Sequence, residues 1–202
     1  GFAGDLQGLR ENLSYLQELG INMVHVMPIL ECPKGASDGG YAVSNFRNVD
    51  ERVGTLEDLR ALARNLHQEV GGPGVGAVGM CFTGGFALGM MVDDIMLAPV
   101  LSQPSLPFPV GKARGADLNL SPDDAAAIAE RAAAGCQVLG LRFTGDKLVG
   151  DRFSTLREVL GDAFIAVELP SAKATDHSVL TEQRDEASVT RVLDFFVEKL
   201  QP

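Results

Sequence analysis

The run from Val70 to Val92 carries no charged side chain, and it constrains the fold of this chain more than any other stretch. Its length raises the question of a membrane helix. Its eight glycines and Pro73 argue against one, because a spanning segment needs about 20 mostly apolar residues in helix. Gly74, Gly76 and Gly79 also fit the G-x-G-x-x-G of a dinucleotide-binding turn, with Asp93 or Asp94 as the acidic residue farther on. That motif must follow a strand and open a helix. Here the glycines follow a helix, and Val75, Ala77 and Val78 fall inside the strand itself. The remaining possibility is a strand ending at Met80, a sharp turn at Cys81 and a helix opening on small residues. Such an elbow holds a nucleophile on a strained turn, where nearby glycines let strand and helix approach closely.

The flanking sequence supplies the frame. Leu6, Leu9, Leu13, Leu16 and Leu19 recur at helical spacing, and Gly20 closes that helix. Ile21–Met27 is a short apolar strand stopped by Pro28, and a loop rich in Gly, Ser and Asp runs from Glu31 to about Gly54. Thr55 caps the next helix, with Asp58 in a capping-box position, and the leucines at 56, 59, 62 and 66 mark its apolar face as far as Gln68. Beyond it, strands at Val75–Met80, Ile95–Leu101, Val138–Phe143 and Ala163–Leu169 alternate with helices. These helices are a Gly- and Met-rich one to about Met91, a Ser121-capped one to Ala134, then Arg152–Leu160 and Val189–Leu200. Alternation implies an α/β fold of three layers, a mostly parallel sheet with helices on both faces.

Composition narrows the function. With 46% hydrophobic and 22% charged residues, the 202-residue chain reads as globular, and its formal charge of −10 disfavours nucleic acid and anionic membrane as partners. Cys32, Cys81 and Cys136 form neither a zinc pattern nor a disulfide framework, so no metal and no cofactor are expected. A cytoplasmic setting is expected from the free cysteines and from an N-terminal stretch interrupted by Asp5, Arg10 and Glu11.

On the turn alone, Cys81 divides between a nucleophile and a buried structural cysteine, since free Cys is among the most buried residue types. Chain order favours the nucleophile. Hydrolases with this elbow place nucleophile, acid and histidine in that order. Asp146 follows the strand Val138–Phe143, with Asp151 as a rival, and His177 lies between the strand Ala163–Leu169 and the last helix. All three fall at the same end of a parallel sheet. The Phe82 N–H faces a developing oxyanion, and the helix N-terminus behind Cys81 lowers the thiol pKa. His25, His67, Cys32 and Cys136 read as structural, and Met80, Met90, Met91 and Met96 as core filler.

Two family resemblances divide the chain. From about Val70 to Leu200, Gly79-Met-Cys-Phe-Thr-Gly-Gly85, Leu97-Ala-Pro-Val-Leu-Ser-Gln-Pro104, Arg142-Phe-Thr-Gly-Asp146 and His177-Ser-Val-Leu-Thr181 resemble the C-terminal portion of the dienelactone hydrolase family of α/β-hydrolases. That resemblance implies a Cys81–His177–Asp146 triad cleaving a small ester or lactone through an acyl-enzyme. Where the family places an arginine after the histidine, Thr181 and Glu182 stand here, and Arg184 is the first arginine. From Phe2 to about Gln68, Phe2-Ala-Gly-Asp-Leu6, Leu16-Gln-Glu-Leu-Gly20, Met27-Pro28, Cys32-Pro33 and Ser37-Asp-Gly-Gly-Tyr-Ala-Val43 resemble an early barrel segment of an amylosucrase-type member of the α-amylase superfamily. That resemblance implies that Asp38 and Tyr41 help hold a sugar. Glycoside hydrolysis needs two facing carboxyl groups, and this stretch supplies no such pair.

The chain is therefore expected to join residues 1–68, a βα piece like part of a TIM barrel, to residues 69–202, a partial α/β-hydrolase fold. Addition of Ile21–Met27 to the sheet makes them one domain. Three functions follow: an ester or lactone hydrolase, a non-catalytic hybrid with a vestigial triad, or a carbohydrate-binding or glucosyl-transferring protein.

Overall fold

A computed structural model describes residues 4–21, 29–35 and 44–201. The chain divides into two compact units, Gly1–Gly71 and Gly72–Pro202.

Among the described residues, the first unit packs three helices and a two-stranded ribbon. Helix α1 (Leu6–Glu11) starts where Asp5 Oδ1 accepts from Gly8 N at 2.7 Å. The leucine periodicity predicts one continuous helix to Leu19. The structure instead breaks it at Asn12, whose side chain donates to Gly8 O at 2.8 Å, and resumes it as α2 (Leu13–Glu18). A short polar side chain that bonds the local backbone competes with the helical ladder. Strands β1 (Leu30–Glu31) and β2 (Asn45–Val49) pair antiparallel. They occupy the stretch expected to be loop, because Gly, Ser and Asp content hides a ribbon held by cross-strand bonds. Helix α3 (Leu56–Val70) opens on the expected capping box, with Asp58 N donating to Thr55 Oγ1 at 3.1 Å and Thr55 N to Asp58 Oδ2 at 2.8 Å. Leu6, Val49 and Leu62 form the core, with Leu9, Leu13, Leu56, Leu59 and Leu66 packed on them. The strand predicted at Ile21–Met27 falls, after Ile21, outside the described residues, as do His25, Asp38 and Tyr41.

The second unit is α/β. Strands β3 (Val75–Met80), β4 (Met96–Ser102), β5 (Val138–Phe143) and β6 (Phe164–Leu169) form a parallel sheet in chain order. Parallel crossovers are right-handed, so an unreversed strand order sends every connecting helix to the same face. Helices α4 (Gly84–Gly89), α6 (Pro122–Ala133) and α7 (Arg152–Leu160) accordingly share one core with Leu101 and Val138, built on Leu88, Met91, Ile128 and Phe153. Helix α8 (Glu186–Leu200) follows the last strand and covers the other face, where Val192 and Phe195 meet Val100, Leu139 and Leu141. A further helix, α5 (Lys112–Ala116), lies in the Pro-rich segment expected to be loop. Its sequence, KARGA, has too few residues to show a helical period.

Two arginines, Arg131 partly buried and Arg152 buried, hold the connections. Arg131 donates to Met91 O at 2.7 Å and Met96 O at 2.9 Å, closing the turn between α4 and β4. Arg152 is 1% exposed and donates to the carbonyls of Pro107, Arg114, Asp117, Leu148 and Val149. It thereby ties the long segment after β4 to the turn after β5. The guanidinium, itself buried, finds acceptors for its N–H groups among these carbonyls.

Candidate active site

Cys81 stands at the first position after β3, with φ at 54°, a region that non-glycine residues rarely adopt. Tight packing enforces that backbone. The turn Cys81–Thr83 folds so closely over β3 that a Cβ on Gly79 would lie 2.2 Å from Thr83 O. One on Gly84 would lie 2.5 Å from Pro104 Cα. Thr83 stands where a strict elbow has glycine, and its hydroxyl makes the turn its own: it accepts from Met80 N at 3.1 Å and donates to Met80 O at 2.9 Å.

The segment after β4 packs on this elbow. Ser105 N donates to Cys81 O at 3.1 Å, and Ser105 Oγ lies 3.4 Å from Cys81 Sγ. Ser105 is fully buried, while Cys81 is partly exposed. Sequence reasoning missed this serine. Its signal is slight: it lies three residues past the end of β4, beside the strand that carries the cysteine.

Asp146 sits in the turn after β5, with its N–H on Phe143 O at 3.2 Å and its Oδ1 accepting from Leu148 N at 2.9 Å. Its Oδ2 is 2.6 Å from His177 Nδ1. The rival Asp151 caps α7, its N–H on Gly115 O at 2.9 Å, and its side chain makes no cap bond. The loop after β6 is braced on both sides of the histidine. Asp176 Oδ2 accepts from Ala172 N and Lys173 N at 2.7 and 2.8 Å, and Gln183 Oε1 accepts from His177 N and Ser178 N at 3.2 and 2.8 Å. Arg184 turns to Glu186, with Nε 2.6 Å from its carboxylate.

The electrostatics follow from these placements. With Nδ1–H held by Asp146, His177 presents Nε2, which is buried without a well-aligned hydrogen-bond partner. Burial alone lowers the imidazole pKa, but hydrogen bonds and charge from Cys81 and Asp146 outweigh it and raise the value. Burial pushes the Cys81 thiol up. Hydrogen bonds from Ser105 and His177, the His177 charge and the Phe82 N–H more than reverse this and lower its pKa. The arrangement favours a thiolate–imidazolium pair. The Phe82 amide acts on the sulfur at short range. The Phe82 ring is half exposed and meets Phe108 edge-on at 5.4 Å, forming an apolar rim beside the thiol.

Two cavities frame the possible binding surfaces. One of ≈ 380 Å³ in the second unit is lined by Thr144, Asp146, Lys147 and Asp151. A larger one of ≈ 540 Å³ lies in the first unit, lined by Glu31, Cys32, Lys34, Asn48, Asp50 and Arg52. In it Arg52 forks onto Asp50 at 2.7 and 2.9 Å and holds that carboxyl well below the usual carboxylate range. Glu31 accepts from the amides of Asn45 and Asn48 at 3.2 and 3.0 Å. Among the described residues no group of His, Cys, Asp and Glu is arranged to hold a metal ion, and no helix is long and apolar enough to cross a membrane.

Comparison with known proteins places the family relationship at the other end of the chain from the triad. The family model for the α-amylase catalytic domain matches residues 1–70. Residues 1–70 are thus similar to part of that domain. A probable oligo-1,6-glucosidase 3 of Bacillus subtilis is 36% identical over 64 residues, 32% of this chain and 11% of the relative. Maltase A2 of Drosophila melanogaster is 47% identical over 56 residues, 28% of this chain and 10% of the relative. A trehalose synthase of Pimelobacter is 38% identical over 68 residues, 34% and 12% respectively. The chain thus spans about a tenth of the length of the curated relatives it matches. A crystal structure of AmyP in complex with maltose aligns with 69% of this chain and 36% of its own, at a TM-score of 0.37 and 17% identity, too distant to carry an argument.

These matches overturn the expectation of a dienelactone-hydrolase-type enzyme acting on a small ester or lactone. The related proteins bear glucosidase and maltase names, and none of the matches supports a dienelactone hydrolase portion. The physical source of the error is that a turn motif with neighbouring titratable groups describes local geometry and leaves the substrate to the surrounding pocket.

Proposed function

We propose that this chain acts in glycoside chemistry of the α-amylase type, through an oligosaccharide-holding segment in residues 1–70. The observation that carries this is the match of the α-amylase catalytic domain to those residues. Oligo-1,6-glucosidases and maltase among the relatives support α-linked glucosides as the ligand class. Asp38 and Tyr41 are assigned to hold the sugar, as the amylosucrase-type resemblance implies. The polar cavity of the first unit, with its carboxylates and amides, offers the kind of hydrogen bonding that hydroxyl-rich ligands use. Cleavage itself requires two facing carboxyl groups. The assigned role of this segment is therefore substrate holding. The test is a thermal melt in the presence of maltotriose or isomaltotriose. Protection that is lost in Asp38→Asn and Tyr41→Ala supports the assignment, and no protection by either sugar overturns it.

The 2.6 Å contact between His177 Nδ1 and Asp146 Oδ2, behind a thiol of lowered pKa, favours a second reading for residues 72–202. We read this unit as part of an α/β-hydrolase sheet bearing a thiolate nucleophile. In it Cys81 attacks an electrophilic carbon, His177 takes the thiol proton on Nε2, Asp146 fixes the tautomer, and the Phe82 N–H donates to the developing negative charge. Alkylation of Cys81 by iodoacetamide, followed by peptide mass spectrometry, tests it. Reaction slowed at neutral pH in His177→Asn is expected, and an equal rate in that variant overturns the reading.

A further inference from the structure

We propose that Ser105 is a positioning residue for the Cys81 sulfur, supplying a hydrogen bond that holds the thiolate beside His177. The proposal rests on the thiolate-nucleophile reading of the second unit.

Ser105 touches the nucleophile twice. Its N–H secures the Cys81 carbonyl at 3.1 Å, fixing the backbone of the strained turn, and its Oγ meets Sγ at 3.4 Å. The hydroxyl is sealed from solvent, so a rotation away from the sulfur would cost it a partner without gaining water. The segment that carries it cannot drift, because Pro104 is pressed on Gly84 closely enough to exclude a Cβ there. The elbow and the Ser105 segment therefore form one clamp.

The proton balance shows what the clamp does. When Sγ gives its proton to His177 Nε2, the sulfur becomes negative and the imidazole positive, with no net change in the pair. Nε2 has no well-aligned hydrogen-bond partner at rest, so the sulfur is not held by the histidine alone. Ser105 Oγ–H can turn to donate to the thiolate, and a hydrogen bond to an ionised acceptor is stronger than one to the neutral thiol. The serine thus stabilises the charged form more than the protonated one. His177 is the titratable group coupled directly to Cys81, and Asp146 acts through it.

The test is the pH profile of Cys81 alkylation by iodoacetamide, read on the Cys81 peptide so that Cys32 and Cys136 do not contribute. Ser105→Ala is expected to slow the reaction about tenfold at pH well below the onset of full thiolate, and to move that onset upward, while the rate at high pH stays near the original. Ser105→Thr, which keeps the hydroxyl, is expected to retain the original profile. An unchanged profile in Ser105→Ala overturns the proposal. If His177→Asn slows the reaction while Ser105→Ala does not, only the serine's role fails; if neither does, the nucleophile reading fails with it. Should Ser105→Ala not fold, the S–H stretching band of Cys81 in the unmodified protein, isolated by difference against Cys81→Ala at acid pH, decides the matter. A band at the position of a free thiol overturns the assignment, and a displaced band supports it.

Discussion

Replacing Asp146 by Asn removes one negative charge 2.6 Å from His177 Nδ1 and leaves almost the same shape in a site where the aspartate side chain is 3% exposed. The Leu148 N–H that now donates to Oδ1 at 2.9 Å can still find the amide oxygen, so the turn after β5 is expected to keep its conformation. What changes is the support of the imidazolium. Hydrogen bonds involving a charged group contribute about 1.5–3 kcal/mol, and about 1.4 kcal/mol is a factor of ten, so the thiolate–imidazolium pair should lose about ten- to a hundredfold in population. The direction is set by two shifts of opposite sign: the His177 pKa is raised and that of Cys81 lowered, and both favour the pair. Alkylation of Cys81 should therefore begin at distinctly higher pH in Asp146→Asn. Rates of iodoacetamide reaction between about pH 5 and about pH 9, resolved by peptide, measure it. Superimposable profiles for the two proteins would refute the electrostatic reasoning.

The remaining predictions concern stability and the elbow. A histidine whose folded pKa is raised stabilises the fold fully below its unfolded pKa of about 6.5, and loses that contribution as pH rises through the folded value. Urea melts should show this dependence in the original protein and not in His177→Asn. Arg152→Met strips donors from five carbonyls around a side chain that is 1% exposed, and should cost about 3–5 kcal/mol in a denaturant melt. A loss below about 1 kcal/mol would show that water replaces the guanidinium. Gly84→Ala drives a Cβ to 2.5 Å from Pro104 Cα, a contact between backbones that no rotamer relieves. It should cost about 1–3 kcal/mol and slow Cys81 alkylation at neutral pH, because the turn and the Ser105 segment must separate.

Elements with their own local signals were legible in the chain. The capping box at Thr55 and Asp58, Ser121 followed by Pro122, and the apolar runs of β5 and β6 all act within a few residues. β1, β2 and α5 were not, because a ribbon whose stability comes from pairing distant strands, and a five-residue helix, leave no period to read. The assignment of a substrate class went wrong for a related reason. The motif at Cys81 describes the shape of a turn, whereas the similarity to glucosidases lies in residues 1–70, a separate compact unit.

By itself the order of residues determined the alternating α/β pattern of the second unit and placed Cys81, Asp146 and His177 in the segments after β3, β5 and β6, at one end of the sheet, since parallel strands deliver the residues after them to the same side. Tertiary structure alone decided that Asp146 rather than Asp151 meets the imidazole, and that Ser105 meets the sulfur. Those pairs are separated by 31 and 24 residues along the chain. Contacts across such distances are set by how strands register and loops pack, through forces that no local stretch of sequence encodes.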